Sequence, residues 1–317
     1  LLFILYVYTN SIFMQLKTSL FVLIVLLLSS CYRSKELPGD FPDQSRIINA
    51  AKPAPPTPPV TVPGVCNYGI DEAAILSSGW TKVFEDEFAS DLSKWNIWNG
   101  GAFNNELQFY QGANLTLVNG HLEITARKET VTGPTTPFDA TPKTFNYTSG
   151  RIECKSNVSV SAATPRVRMM ARIKQASGYG MWPAFWSYGD PWPTQGEIDI
   201  LEARGQEDYK YQTNYFYGRT AGRNLVRGAE GYINTGTSLQ SCYHVYEVIW
   251  SQNDLKFYFD GVLVKTNSGG YVPNMFGKTE RITLNLAVGG LFFSNFNPAL
   301  IQTGTMYVDW VKVFVAP

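Results

Sequence analysis

Apolar residues recur along this chain with a period of two rather than 3.6. Short alternating or β-branched runs at Leu115–Val118, His121–Ala126, 150–154, 167–173, 243–250 and 255–259 are bounded by turn residues. Asp260-Gly261 falls between Lys256-Phe257-Tyr258-Phe259 and Val262-Leu263-Val264, and Asn119-Gly120 falls between two other apolar runs. Both dipeptides suit the positive φ angles of a two-residue hairpin turn. Few stretches sustain a helical period, and no repeat or second domain is visible. The roughly 250 residues from about 66 to 317 fit one domain. The pattern predicts an all-β, two-sheet antiparallel sandwich.

One predicted strand breaks the rules for a buried one. Glu197-Ile198-Asp199-Ile200-Leu201-Glu202 sets three carboxylates in an apolar, largely β-branched run. Burying unpartnered charge is costly, so one face of this strand must look into a wet cleft or bind a ligand. Side chains alternate across a strand, which puts Glu197 and Asp199 on one face and sends Glu202 to the other. A β-bulge of one extra residue brings Glu202 back beside them. Two carboxylates roughly 5 Å apart are what a retaining glycosidase uses, one attacking the sugar carbon and the other moving the proton. An acidic string of this kind also occurs on solvated faces and in oxygen-rich metal sites.

The context narrows the choice. Gly196 precedes the acids, and Trp182-Pro183-Ala184-Phe185-Trp186 and Trp192 lie just upstream. On a strand, Trp182, Ala184 and Trp186 share a face, which makes an aromatic surface suited to the apolar faces of sugar rings. Any one of these tryptophans taken alone is as well explained by a core.

The segment GMWPAFW…WPTQGEIDILEARG resembles the centre of glycoside hydrolase family 16, in its laminarinase-like branch. The runs Trp80 to Phe88 (WTKVFEDEF), Asn104 to Tyr110 (NNELQFY), Asn285 to Gly290 (NLAVGG) and Val308 to Val313 (VDWVKV) resemble further family segments, in the family's order. The resemblance implies a concanavalin-like jelly roll whose concave sheet holds the substrate. It implies Glu197 as nucleophile, Glu202 as general acid and then base, and Asp199 between them, where an ionised neighbour would help hold a proton on Glu202. It implies Trp182, Trp186 and Trp192 as sugar platforms, Asn105 and Glu106 at the cleft border, and Arg168 and His244 as substrate contacts. For Arg168, as for Arg172, a structural ion pair is the equal alternative, and for His244 a hydrogen-bonded core role. No catalytic cofactor is implied. A structural calcium on the convex side is implied, held by Glu87, the carbonyl of Gly120 and Asp309.

The expected activity is endo-acting, retaining cleavage of β-1,3-glucan (laminarin) or mixed β-1,3/1,4-glucan. Same-fold alternatives are an agarase, porphyranase or carrageenase. A sulfated substrate would call for cleft cations, which Arg204, Arg219 and Arg223 could supply. A non-catalytic sugar-binding protein would lack one of the carboxylates, and all three are present. A transglycosylase would use the same carboxylates. The chain departs from the family at Arg166-Val167-Arg168, at Met170, and at Leu291-Phe292-Phe293-Ser294-Asn295, where a cleft-bordering loop differs. The Thr- and Pro-containing stretch 128–143 reads as a mobile insertion near the rim.

Composition changes little of this. Aromatic residues make up 14% and charged residues 16%, which suits an aromatic-lined β-domain better than a helical bundle. The 26 basic and 26 acidic residues leave no net charge and no basic cluster, which argues against a nucleic-acid partner. A polysaccharide is the expected partner, and the chain is expected to act as a monomer.

The N-terminal part reads as targeting. Lys17, the apolar run 20–28 and Ser29-Ser30-Cys31 resemble a bacterial lipoprotein signal, with Cys31 lipidated and Met14 the expected start. Residues 1–31 are then upstream sequence plus signal, 32–64 a Pro-rich tether and 65–317 the catalytic domain, exported and touching a membrane only through its anchor. Cys66, Cys154 and Cys242 cannot all pair within one chain, and spacing does not say which two do, if any. The two histidines, His121 and His244, give no zinc-like spacing with them.

Overall fold

The structure, a computed structural model, describes residues 60–317. The expected signal, Cys31 and most of the tether lie outside the described residues.

Two large sheets carry the fold. One runs in the order Val60–Thr61, Gly231–Asn234, Lys210–Phe216, Glu197–Ala203, Met181–Tyr188, Glu280–Val288, Arg151–Val158 and Trp95–Ile97. It is antiparallel except for the short pairing of Val60–Thr61 with Gly231–Asn234. The other runs Val262–Ser268, Asp254–Phe259, His244–Ser251, Arg166–Lys174, Gly304–Ala316, His121–Ala126 and Leu115–Val118, with Thr81–Asp86 also on the Gly304–Ala316 strand. We call the first the acid sheet and the second the outer sheet. The predicted hairpins form at both dipeptides: Val118 pairs with His121 and Phe259 with Val262. All four turn residues have positive φ, which Asn, Asp and Gly tolerate.

Alternation builds the core. Phe185, Ile198 and Leu284 from the acid sheet join Met169, Val248 and Trp250 from the outer sheet in one buried cluster. The far side of the outer sheet is covered too. The helix Glu72–Ser77, capped by Asp71, contributes Ile75 to a second cluster with Trp80, Met170, Val245 and Phe314. The outer sheet also carries paired charges, Arg168 with Glu247 and Arg172 with Asp309.

Two expectations change here. The stretch 128–143 is largely a β-hairpin, Val131–Thr136 with Asp139–Phe145, rather than a mobile insertion. It docks on the backbone at Gly100 and Gly101, where Gly101 N–H donates to the carbonyl of Pro134. A side chain at Gly101 would meet the Thr135 carbonyl oxygen at 2.3 Å, so the docking needs glycine there. The cysteine question is also answered. Cys66 and Cys242 form a disulfide, and Cys154 is a buried free thiol.

Candidate active site

The acid strand carries the predicted bulge. Trp186 pairs with Asp199 and Phe185 with Leu201, so Ile200 is the extra residue. On the other side, pairing jumps from Asp199–Asn214 to Glu202–Gln212. Ile200 and Leu201 are consecutive, yet both are buried in the sandwich core beside Ile198 and Ala203. Two successive inward side chains restore Glu202 to the face of Glu197 and Asp199. Ala184 pairs with Glu202, so the position beside this acid is a small one.

Each glutamate is held by an indole. The Trp192 Nε1–H donates to Glu197 Oε2 at 2.5 Å, and the Trp182 Nε1–H donates to Glu202 Oε1 at 3.1 Å. The Gln212 side-chain amide adds a longer bond of 3.4 Å to Glu202 Oε2. Asp199 is 4% exposed and hydrogen-bonds Glu197. Burial raises the proton affinity of all three carboxyls. It pushes Glu197 up to about 8, with the charge of Glu202 adding to the effect, and Glu202 up to about 7. For such close groups these values belong to the pair rather than to single residues. Asp199 rises well above the ordinary range, from burial first and then from the charges of Glu202, Glu197 and Glu280. A protonated Asp199 is a donor, so Glu197 receives two donated bonds. Those bonds favour its carboxylate and offset part of what burial and the Glu202 charge add to its proton affinity.

Trp186 belongs to a polar relay across the sheet. Its Nε1–H donates to Asn285 Oδ1, Asn285 Nδ2 to the Tyr110 hydroxyl, and that hydroxyl to Glu106 Oε2. Glu106 is buried, raised by that burial, and also bonded by Gln108 Nε2 at 2.7 Å. Glu106 thus faces the acid cluster, and its charge opposes ionisation of Glu202. Asn105, next to it, is exposed and has a φ of 55°.

The cleft has two different ends. Beside Glu202, Trp182 stacks on Phe292 with ring centroids 4.4 Å apart, and the Arg204 guanidinium stacks on Phe292 at 4.0 Å. Arg204 also donates to the Phe292 carbonyl. One face of Trp182 is therefore covered by the loop that departs from the family. On the other side, Arg151 lies 4.9 Å from the Trp186 ring and 4.0 Å from that of Trp98. Glu153 accepts from both Arg151 and Arg281, and Asp190 also accepts from Arg281, so two carboxylates balance two guanidinium groups at this corner. Gln212, Asn285, Tyr110 and Arg151 were not anticipated as site residues, whereas Phe292 lies in the loop expected at the cleft border. They come from strands and loops whose proximity no local pattern encodes.

Other expected contacts lie elsewhere. Arg168 sits on the outer sheet and pairs with buried Glu247 at 2.7 Å while facing Trp80, so it is a structural ion pair rather than a substrate contact. His244 is fully buried on the outer sheet, with Nδ1 2.7 Å from Asp260 and its ring stacked on Phe259. It does not reach the cleft. Asp309 is engaged by Arg172 at 2.6 Å, and Glu87 lies 3.4 Å from Lys312 Nζ. Gly120 is part of the hairpin turn. Among the described residues no group of three or more His, Cys, Asp or Glu gathers as a metal site. Both carboxylates of the expected calcium set already face a cationic side chain, so the set does not fit the ion as it stands.

A sandwich with a polar and aromatic sheet face, carrying two bulge-aligned carboxylates under indole donors, defines a glycosidase-type site. Comparison with known proteins agrees: residues 103–312 match the glycosyl hydrolases family 16, and the chain belongs to it. It is 31% identical over 268 residues to the glucan endo-1,3-beta-glucosidase A1 of Niallia circulans, covering 75% of this chain and 38% of that protein. The glucan endo-1,3-beta-glucosidase of Cryptopygus antarcticus is also 31% identical, over 75% of this chain and 93% of its own length. Among solved structures, the endo-beta-1,3-glucanase of Pyrococcus furiosus superposes with a TM-score of 0.63 at 30% identity, covering 75% of this chain and 95% of that one.

Proposed function

We propose that the chain is an endo-acting, retaining β-glucanase that cleaves β-1,3-glucan or mixed β-1,3/1,4-glucan. The observation that carries this reading is the bulge at Ile200, which sets Glu197 and Glu202 on one face of an aromatic cleft. The names of the relatives, endo-1,3-β-glucanases, point to the same substrate class. In the proposed reaction Glu197 attacks the anomeric carbon while Glu202 gives its proton to the leaving oxygen. Glu202 then takes a proton from the water that breaks the glycosyl–enzyme bond, so the anomeric configuration is retained. Asp199 holds its own proton toward Glu197 and keeps that oxygen placed. Trp182, Trp186 and Trp192 act as cleft walls, with Trp182 and Trp192 also orienting the acids.

Reducing-end release, measured in parallel on laminarin, lichenan, agar, porphyran and carrageenan, tests the proposal. We expect activity on the two glucans. Activity confined to a galactan would replace this reading with the galactanase one. Glu197→Gln should abolish turnover with an unchanged circular dichroism spectrum, and Glu202→Gln should lower it by about 10²–10⁴-fold. Normal turnover by Glu197→Gln would remove the assigned roles.

The chain is also proposed to be exported and lipidated at Cys31. Support comes from the apolar run before Ser29-Ser30-Cys31 and from the Cys66–Cys242 disulfide, which suits an oxidising compartment. In a bacterial host, Cys31→Ser should lose incorporation of labelled palmitate.

A further inference from the structure

The inserted hairpin ends in an aromatic residue that nothing in the fold requires. Phe138, at the turn between Val131–Thr136 and Asp139–Phe145, is 56% exposed. Its turn is pre-formed, because the Thr136 hydroxyl accepts from the backbone N–H of both Phe138 and Asp139. The hairpin is also seated firmly. Phe145 packs on Phe109, and Pro137 lies against Gly100. Among the described residues, Phe138 makes its ring contact edge-on to Trp98, at 5.8 Å.

Trp98 connects this tip to the cleft. Glu202 pairs with Ala184, Ala184 with Asn285, and Asn285 with Arg151. The Trp98 N–H then bonds the Arg151 carbonyl, so Trp98 stands four strands from Glu202 along one cross-strand row. At roughly 4.8 Å per strand this is about 19 Å, several sugar units away from the bond-breaking acids. Trp98 itself is 7% exposed, with Arg151 over its face, so it offers little surface to a ligand. Of the two phenyl rings that meet Trp98, Phe103 and Phe138, Phe138 is the more exposed.

We propose that Phe138 is a sugar platform at a remote subsite of the cleft, holding a ring of the same polysaccharide chain whose distant linkage is cut. The hairpin lengthens the cleft at the Trp98 end, whereas the Trp182–Phe292–Arg204 stack narrows it beside Glu202. The enzyme is therefore selective for chain length, and long glucans gain binding that short ones cannot reach. This rests on the glucanase reading, because it takes the occupant to be a β-glucan.

The test compares the full chain with Phe138→Ala and Phe138→Tyr on β-1,3-linked glucose oligomers of increasing length and on laminarin. Phe138→Ala should raise KM for laminarin and the longest oligomers by about tenfold at nearly constant kcat. It should leave the shortest cleaved oligomer unaffected, and Phe138→Tyr should restore the wild-type values. Equal losses at every length would make Phe138 a structural residue and overturn the proposal. So would unchanged KM on laminarin. Absence of wild-type cleavage of any glucan would instead overturn the glucanase reading itself.

Discussion

At the scale of single residues, the site is a problem of proton affinity. Glu197, Asp199 and Glu202 are packed too closely, with Asp199 buried and the two glutamates half-buried, to carry three charges at neutral pH. The folded protein therefore holds protons that the unfolded chain, with carboxyls near 4.5, has released. The stabilisation from these protonated groups is full below that ordinary range and is lost as pH rises through about 7 to 8. Glu202→Gln removes one of the charges that must be buried at high pH. We expect the variant to be more stable than the wild type at pH 9, by roughly 2–3 kcal/mol, and to show no such gain at pH 4. Thermal unfolding across that range reads the difference, and a constant gap between the two proteins would contradict it. Activity should follow a bell between the two values, since the reaction needs one proton on the pair.

At the scale of elements, the acid strand works because its two neighbours accept its irregularity. The bulge is shared, with Phe185 and Trp186 on one side and Gln212 and Asn214 on the other spanning the extra residue. Its start is fixed by Gly196, which has a φ of 105°. A Cβ there would sit 2.5 Å from Glu280 Oε1 and 2.8 Å from Met275 Cε, both in the buried interior. Gly196→Ala therefore combines backbone strain with a collision next to Glu197. It should cost about 1–3 kcal/mol in denaturant unfolding and lower kcat as well. Full stability with full activity would show that the strand entry tolerates the change.

At the scale of the whole molecule, the two sheets have divided labour. The outer sheet carries the helix Glu72–Ser77 with its apolar cluster and paired charges such as Arg168–Glu247, whereas the acid sheet presents the three carboxylates. The disulfide ties Cys66 to Cys242 across 176 residues, joining the segment before the helix to the start of the His244–Ser251 strand. A loop that long restricts the unfolded chain strongly. The double variant Cys66→Ser, Cys242→Ser should lose about 2–5 kcal/mol of stability. Its kcat on laminarin should stay near that of the wild type, because the bridge lies on the outer sheet's side, away from the acids. A matched fall in kcat at a temperature where the variant is folded would show that the bridge also shapes the cleft.

The sequence by itself determined what is local. Period-two alternation, hairpin dipeptides with positive φ and a carboxylate triplet in a β-branched run are properties of neighbouring residues. They led to the sandwich, the turns and the need for a bulge at the acid strand. The tertiary structure decided what depends on partners from distant segments. It showed that Arg168 and His244 belong to the outer sheet, that Phe292 covers Trp182, and that a Thr- and Pro-containing stretch forms a hairpin once Gly100 and Gly101 leave room for it. The physical reason is that alternation says which residues share a face but not which face meets which. That choice is made only when sheets pack and loops find the surfaces they cover.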